Sequence, residues 1–352
     1  LQQAGYRTYA PQAGEWALQL SECNDAKRLP WGVSDSQSPG NYRLGNGDKS
    51  RAFAWANGPQ ALKPLLFAPS ETLWRVNRDE KGALHFSPQP PKQEARAVIG
   101  VRPCDLAALD IHDRHFLGGH EDGYYAARRQ KLFLVAVNCS HPAATCFCAS
   151  TGDGPVAEQG FDLSLDELDD GFVVKAGSDS GRTLLQELSL IEASAAQQEA
   201  VSKQQHHAAD IQQRTMPSGN LQGPLFARLD HPRWQDVGER CLACGNCTSV
   251  CPTCFCHSEQ ERPALDGGSS EHVREWDSCF TPGHSYLHGK VLRESIPQRY
   301  RQWLTHKGGS WNEQYGRSGC VGCGRCITWC PVGIDITEEV HSLLGTQAGG
   351  KP

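Results

Sequence analysis

The sequence has no long hydrophobic run. Its apolar stretches are as short as Leu132–Val137, and its mean hydropathy is −0.52. A helix that spans a membrane needs about 20 consecutive apolar residues. The sequence therefore predicts a soluble or peripheral protein without a membrane span.

Basic tracts are also absent. The formal net charge is −6 at pH 7, from 34 Lys and Arg against 40 Asp and Glu. This count omits cysteine thiolates, so a segment that carries many ionised cysteines is more negative still. Nucleic acid attracts proteins through basic patches, so nucleic acid is not expected as a partner.

A dinucleotide fingerprint is missing as well. No G-x-G-x-x-G motif follows a predicted strand, and the glycine-containing segments at residues 45–48 and 152–155 are typical of turns. Nothing in the sequence indicates a flavin pocket. We therefore expect neither flavin nor NAD(P) on this chain.

Cysteine, in contrast, is abundant, with 16 in the chain. Eight form two runs of the spacing C-x-x-C-x-x-C-x-x-x-C-P, over residues 241–252 and 320–331. This spacing is typical of bacterial ferredoxins with two clusters, where the fourth cysteine of each run binds the other cluster. The predicted ligands are Cys241, Cys244, Cys247 and Cys330 for one 4Fe-4S cluster, and Cys320, Cys323, Cys326 and Cys251 for the second.

Zinc and disulfides are the alternatives for these runs. Zinc sites usually combine two C-x-x-C pairs at a longer spacing, and one tetrahedral ion has no use for eight thiolates. Disulfides need an oxidising compartment. We therefore predict ligands that are kept reduced in the cytoplasm. Because the sequence begins at Leu1 rather than Met, a preceding segment with a targeting signal is left open.

Four more cysteines fall in the N-terminal part of the chain. Short strand patterns at residues 97–101 and 131–137 are followed by Cys104 and Cys139, and Asp105 is a plausible N-cap for a helix after the first strand. Strand ends of this kind share one edge of an α/β sheet. Cys146 and Cys148 add two thiols from a polar loop. The four match the ligand count of a third 4Fe-4S cluster, with zinc or free thiols as alternatives.

Three cysteines form a remainder: Cys254, Cys256 and Cys279. We favour packing around the neighbouring clusters for them over an additional metal, which would need His257 or Asp277 as a fourth ligand. Cys23 stands alone and is interpreted as an ordinary free cysteine.

The predicted fold class is an α/β (α+β) N-terminal domain followed by a bacterial-type ferredoxin-like domain that carries two 4Fe-4S clusters. The predicted bounds are 1–190 for the α/β domain, 191–223 for a helical or flexible linker, and 224–352 for the dicluster domain, with an insertion at 257–319. Residues 161–168 and 172–176 predict a β-hairpin. The basic stretch 290–307 is interpreted as a solvated helix face, or else as a surface that docks a partner or offsets cluster charge.

The sequence resembles a known family through motifs in both halves. The chain is similar to the β subunit of cytoplasmic sulfhydrogenases, which are NAD(P)-linked nickel-iron hydrogenases, and to the corresponding subunit of anaerobic sulfite reductase. The segments that carry the resemblance are residues 57–67, 100–106, 146–148, 160–163, 241–256, 276–279 and 320–330.

The resemblance implies an electron conduit. It places the flavin that exchanges hydride with NAD(P)H on a partner subunit, and the catalytic centre on hydrogenase small and large subunits or on a sirohaem sulfite reductase subunit. It also supports the third cluster, because the N-terminal cysteines belong to the shared pattern. No paired C-x-x-C framework typical of a nickel-iron site occurs here.

Three functional hypotheses follow. The first is a non-catalytic iron-sulfur subunit that relays electrons in a hydrogenase, with sulfite reductase as the alternative complex. The second is a catalytic subunit that binds flavin. The third is a scaffold in which clusters only stabilise the fold.

Overall fold

The structure is a computed structural model and describes residues 1–347, so the end of the predicted 224–352 domain lies outside the described residues. The strands are β1 (Arg7–Ala13), β2 (Leu18–Glu22), β3 (Val33–Ser38), β4 (Asn41–Asn46), β5 (Ser70–Arg78), β6 (Leu84–Pro88), β7 (Arg96–Val101), β8 (Leu132–Val137), β9 (Leu163–Leu168), β10 (Gly171–Ala176), β11 (His257–Pro263), β12 (Ser269–Trp276), β13 (Tyr286–Leu287) and β14 (Lys290–Val291). The helices are α1 (Lys63–Leu66), α2 (Pro103–Phe116), α3 (Gly123–Arg129), α4 (Cys148–Thr151), α5 (Asp179–Glu187), α6 (Ala195–Asp210), α7 (Gln222–Phe226), α8 (Arg233–Arg240), α9 (Asn246–Ser249), α10 (Ile296–Thr305), α11 (Trp311–Tyr315), α12 (Arg325–Thr328) and α13 (Ile336–Leu344).

A six-stranded sheet organises the N-terminal part, in the order β10-β9-β8-β7-β1-β2. Its inner strands β9, β8, β7 and β1 run parallel, while β2 and β10 pair antiparallel at the two edges. The sequence of β8, LFLVAV, is almost continuously buried, as expected for a strand that is covered on both faces. The strands predicted at 97–101 and 131–137 are therefore confirmed, and so is the hairpin, as β9 and β10.

The helix after β7 begins earlier than predicted. Arg102 has extended backbone angles and forms the N-cap, so helix α2 starts at Pro103, whose fixed φ suits the first helical position. The prediction that Asp105 caps this helix is wrong. Asp105 lies inside the first turn, and its side chain is buried with polar partners that come from other parts of the chain.

A second sheet joins the two parts of the chain. Its order is β11-β12-β5-β6, with all neighbours antiparallel. Strands β5 and β6 come from the N-terminal region, whereas β11 and β12 come from the segment between the two cysteine runs. Arg274 on β12 forms ion pairs with Glu71 on β5, at 2.5 Å, and with Asp122 at the start of α3. The predicted domain limits remain predictions, but strand pairing crosses them.

The predicted linker contains one long helix. Ser194 and Gln197 form a capping box that starts α6, and Gln205 of α6 donates a hydrogen bond to Asp166 on β9 at 2.9 Å. His206 and His207 are exposed on this helix.

The C-terminal part has its own core, built around the helices α8, α10 and α13. The core side chains that bear on the sites below are Trp234, Tyr300, Trp303, Ile327 and Val340, together with Phe147 from the N-terminal part. Cysteines of both runs pack against this core. In residues 1–347, no helix is long and apolar enough to cross a membrane.

Candidate iron-sulfur sites

The two cysteine runs adopt the same local structure. Each run continues into a one-turn helix, α9 or α12, that follows a glycine with positive φ: Gly245 at +76° and Gly324 at +71°. Glycine adopts this conformation without the steric penalty of a Cβ. The chain therefore turns sharply after the second cysteine of each run, so that the third cysteine faces the first two.

The first site is a cavity lined by cysteines from both runs. They are Cys241, Cys244 and Cys247 of the first run, with Cys330 and Cys326 of the second. Phe280, Tyr300, Trp303 and Ile336 supply apolar walls. Cys244 is exposed, so this site reaches the protein surface there.

The second site is a neighbouring cavity, in which the second run supplies three cysteines and the first run supplies one. It is lined by Cys320, Cys323 and Cys326 of the second run and by Cys251 of the first. Trp303, Ile336 and Cys326 line both cavities, so they form the wall between the two sites. An exchange of the fourth cysteine between runs is the arrangement that cross-ligated clusters need. The assignment of each sulfur to a cluster stays a prediction.

The third group of cysteines lies at the carboxyl edge of the six-stranded sheet. Cys104 is in the first turn of α2, Cys139 follows β8, and Cys146 and Cys148 flank Phe147 before and at the start of α4. Their charges interact mutually: Cys146 with Cys139 and Cys148, and Cys104 with Cys148. Burial raises the pKa of all four thiols, to about 12 for Cys148. Thiols in such surroundings ionise only when a metal replaces the proton.

The second and third sites are adjacent. The Phe147 amide donates a hydrogen bond to the Gly322 carbonyl at 2.8 Å, and the Cys146 sulfur lies 3.8 Å from the Cys323 carbonyl oxygen. Gly322 has a φ of +63°, and a Cβ placed on it would lie 2.5 Å from the Cys148 Cα. Only glycine lets the two loops approach this closely. Phe147 is fully buried and lines the second cavity.

A buried ion pair spans the same junction. The Arg325 guanidinium, next to Cys326 in sequence, donates two hydrogen bonds to the Asp105 carboxylate, next to Cys104, at 2.7 and 3.0 Å. Asn57 donates to the same carboxylate. The side chains of Arg325 and Asp105 are 2% and 1% exposed. A bidentate pair of this kind fixes the relative orientation of the two groups.

The basic stretch 290–307 is not a solvated face throughout. Arg299 is buried and donates to the Phe280 carbonyl at 3.1 Å, and Lys307 is buried beside the second site. The interpretation as a solvated helix face is therefore wrong for these two residues. Lys307 lies where a cation offsets the charge of Cys251 and Cys320.

The basic side chains beside the cysteines that the sequence analysis did not identify are Lys63 near Cys251 and Cys254, Arg102 near Cys139, His284 near Cys256, and Arg325 near Cys104 and Cys323. Arg325 and Arg102 had a usable signal, because each lies within two residues of a predicted ligand, Cys326 or Cys104. Lys63 had none, since the fold brings it to the cysteines from a distant segment, whereas His284 was not singled out although it lies only five residues after Cys279.

Cysteines in all three groups are spread around their sites. Among the described residues 1–347, no three His, Cys, Asp or Glu side chains lie close enough to hold one metal ion. The eight cysteines of the ferredoxin runs likewise form no site for a single metal ion. Ligands of a cluster surround a whole iron-sulfur core, so they stand further apart than ligands of a single ion.

The cysteine runs and the cavities they line define a dicluster iron-sulfur protein with an electron-transfer role. Residues 240–334 match the family described as the 4Fe-4S dicluster domain. The chain is also 32% identical, over 288 residues, to sulfhydrogenase 2 subunit beta of Pyrococcus furiosus, an alignment that covers 80% of this chain and 83% of the relative. It belongs to the family of this sulfhydrogenase β subunit, which confirms the resemblance noted from the sequence. No solved structure is significantly similar to it.

Proposed function

We propose that this chain is the relay subunit of a hydrogenase of the sulfhydrogenase type. It passes electrons between a flavin subunit that reacts with NAD(P)H and the small and large subunits that hold the catalytic centre. The observation that carries the proposal is the placement of three groups of four cysteines side by side, each group touching the next. The name of the Pyrococcus relative favours hydrogenase over sulfite reductase as the complex.

The proposed ligands are those predicted from the spacing. Cys241, Cys244, Cys247 and Cys330 would hold one 4Fe-4S cluster, Cys320, Cys323, Cys326 and Cys251 a second, and Cys104, Cys139, Cys146 and Cys148 a third. Such clusters accept and release single electrons at potentials that depend on surrounding charge and exposure. The lining residues of the first two cavities and the mutual contacts of the third group support these assignments.

The chain contributes a continuous row rather than isolated sites. Cys326 borders both ferredoxin cavities, and Cys323 interacts with Cys104, Cys146 and Cys148 of the third group. The order is therefore third site, second site, first site, with the first site open to the surface at Cys244. Residues 257–319 serve as an insertion that ties this row to strand β5 of the N-terminal region, through the pairing of β12 with β5 in the four-stranded sheet. Because its thiolates must stay reduced, we place the protein in the cytoplasm.

The test uses the purified chain with its clusters loaded and checked to be free of flavin. One-electron clusters do not accept hydride directly, so a flavin must divide the electron pair. We expect NADPH alone to leave the visible absorption unchanged, dithionite to bleach it, and NADPH to bleach it once the flavin subunit is added. Reduction of the chain by NADPH alone, or stoichiometric flavin released by acid, would instead establish a catalytic flavoprotein.

A further inference from the structure

Three of the four remaining cysteines, Cys254, Cys256 and Cys279, lie on two segments that meet at the base of the β11–β12 hairpin. The β11–β12 hairpin pairs His257 with Trp276, and beyond this pair the Asp277 amide donates a hydrogen bond to the Cys256 carbonyl at 2.9 Å. The base of the hairpin therefore brings the segment of Cys254 and Cys256 alongside the segment of Cys279. Cys279 lies close enough to Cys256 for their charges to interact.

Cys254 and Cys256 face the same way. Phe255 between them stacks on His115 at a ring distance of 3.7 Å and on Trp311 at 5.2 Å, so it points into an aromatic cluster. Alternate side chains of an extended segment lie on opposite sides. The two cysteines accordingly line a solvent-open cavity of about 300 Å³ together with Lys63, Asp277 and Cys244 of the first site.

The imidazole of His284 lies beside these cysteines. The His284 ring neighbours the Cys256 sulfur, and its Nδ1 lies 3.0 Å from the Asp277 carboxylate. That carboxylate is itself held by the Ser278 amide and the Thr281 hydroxyl, both at 2.7 Å. Histidines that bind metals commonly donate their second ring N–H to a carboxylate, which orients the ring. His284 is therefore arranged as a ligand, and it replaces His257 and Asp277 as the fourth group.

Two buried cations face this region without an acidic partner. Lys63 is 5% exposed, and its Nζ contacts the Thr248 and Ser249 carbonyls at 3.3 and 2.8 Å and the Trp276 ring at 3.9 Å. Lys307 is 4% exposed, with Nζ 2.7 Å from the Thr253 hydroxyl.

Among residues 1–347 the polar contacts of the two lysines are with carbonyl and hydroxyl oxygens and not with carboxylates, and both lysines interact with Cys251 and Cys254. A buried positive charge without a counter-ion is costly. A negatively charged group bound at Cys254, as well as one at the second site, would stabilise the two lysines.

We propose that Cys254, Cys256, Cys279 and His284 hold a further 4Fe-4S cluster, with three thiolates and one imidazole as ligands. Thiolate and imidazole are both established ligands of iron in iron-sulfur centres. The net negative charge of such a cluster balances Lys63 and Lys307. Since Cys244 lines the same cavity and Cys279 interacts with Cys247, the additional cluster lies beside the first site and extends the row toward the β11–β12 hairpin.

The test measures iron and acid-labile sulfide per chain in anaerobically purified, fully loaded protein. We expect Cys256→Ala and Cys279→Ala each to lose about four irons relative to the unchanged protein, and Cys104→Ala/Cys256→Ala to lose about eight. Cys23→Ala is the matched control, because Cys23 is also buried but lies away from every site. Unchanged iron in Cys256→Ala and Cys279→Ala, or zinc in place of iron, would overturn the proposal. Iron loss confined to variants of Cys104 would overturn it too, while sustaining the third site of the proposed relay.

A spectroscopic measurement covers the case in which these variants do not fold. In protein labelled with ¹⁵N-histidine, electron-nuclear double resonance of the reduced clusters should detect nitrogen coupled to the electron spin. The coupling should vanish in His284→Ala and persist in His257→Ala, a control at the adjacent hairpin position. Absence of nitrogen coupling in the unchanged protein would refute imidazole ligation.

Discussion

The two parts of this molecule gather their cysteines in opposite ways. In the C-terminal part, each run delivers three thiols within seven residues, around one glycine turn. In the N-terminal part, Cys104 and Cys139 are brought together only because β7 and β8 are parallel neighbours. The first arrangement is local, because the turn itself brings the thiols of a run together before they pack against the C-terminal core. The second is carried by a buried sheet that exists independently of the thiols. Cysteine ligands can therefore determine the local fold, as in the ferredoxin runs, or be positioned by a fold that other residues stabilise, as in the N-terminal part.

The largest effect is expected from Cys251→Ala. Because Cys251 lines the second cavity, its loss should remove the cluster of the second run, about four irons per chain. Hydrogen exchange should then show lost protection around Cys320–Cys326 while β7 and β8 stay protected. The control is Cys330→Ala, which should deprotect Cys241–Cys247 instead. Deprotection of Cys241–Cys247 in Cys251→Ala would show that each run binds its own cluster.

The junction between the two parts is tested by Arg325→Met. This change leaves the Asp105 carboxylate buried without its cation, which typically costs about 3–5 kcal/mol. We expect an anaerobic urea titration to show that loss in the free energy of unfolding. Arg325→Met/Asp105→Asn should regain much of the stability, since no unpaired charge is left. A double variant as unstable as the single one would contradict this explanation, because the loss would then not come from the unpaired carboxylate.

Cys104→Ala tests the N-terminal side of the comparison. We expect a loss of about four irons with β7, β8 and both ferredoxin sites retained, because the sheet is held by its apolar core. Iron analysis and hydrogen exchange measure the two parts of this statement. Cys23→Ala should change neither. If the six-stranded sheet unfolds in Cys104→Ala, the N-terminal site organises its fold as well, and the comparison fails.

The smallest expected effect is a pH-dependent change in stability, and it comes from the four-stranded sheet that joins the two parts. Burial lowers the pKa of His272 on β12, but hydrogen bonds from its ring to Glu261 and Glu259 outweigh burial, so the pKa is raised above 6.5. Its contribution is fully present below pH 6.5 and is lost as pH rises through the folded pKa. Because solvent reaches about half of each glutamate side chain and screens the pairs, we expect under about 1 kcal/mol between pH 6 and pH 9.

Unfolding titrations at the two pH values measure this difference. His272→Gln should reduce the measured difference by the contribution of His272, and His206→Gln, a change on the exposed helix α6, should preserve it. An unchanged pH difference in His272→Gln would assign it to other groups.

The sequence predicted the sites best where the ligands lie close together along the chain. The ferredoxin runs and the strand patterns at β7 and β8 were identified correctly, because spacing and apolar runs encode them directly. The start of α2 was missed, since Pro103 can begin a helix and Asp105 is occupied by Arg325, which is far away in sequence. The cavity of Cys254 and Cys256 was beyond reach for the same reason. It depends on the pairing within the β11–β12 hairpin and on Lys63 from α1.

The sheet that contains β5 and β12 also imposes an order on synthesis. Thr72 on β5 pairs with Val273 on β12, and at 5–20 residues per second the ribosome needs roughly 10–40 s to make the chain between them. During that interval β5 has an open edge, which is a template for wrong pairing. Strand β12, which closes this edge, is made before Cys320–Cys326. The order of synthesis therefore favours alignment of the early and late halves of the chain before the thiols that complete the second site are added.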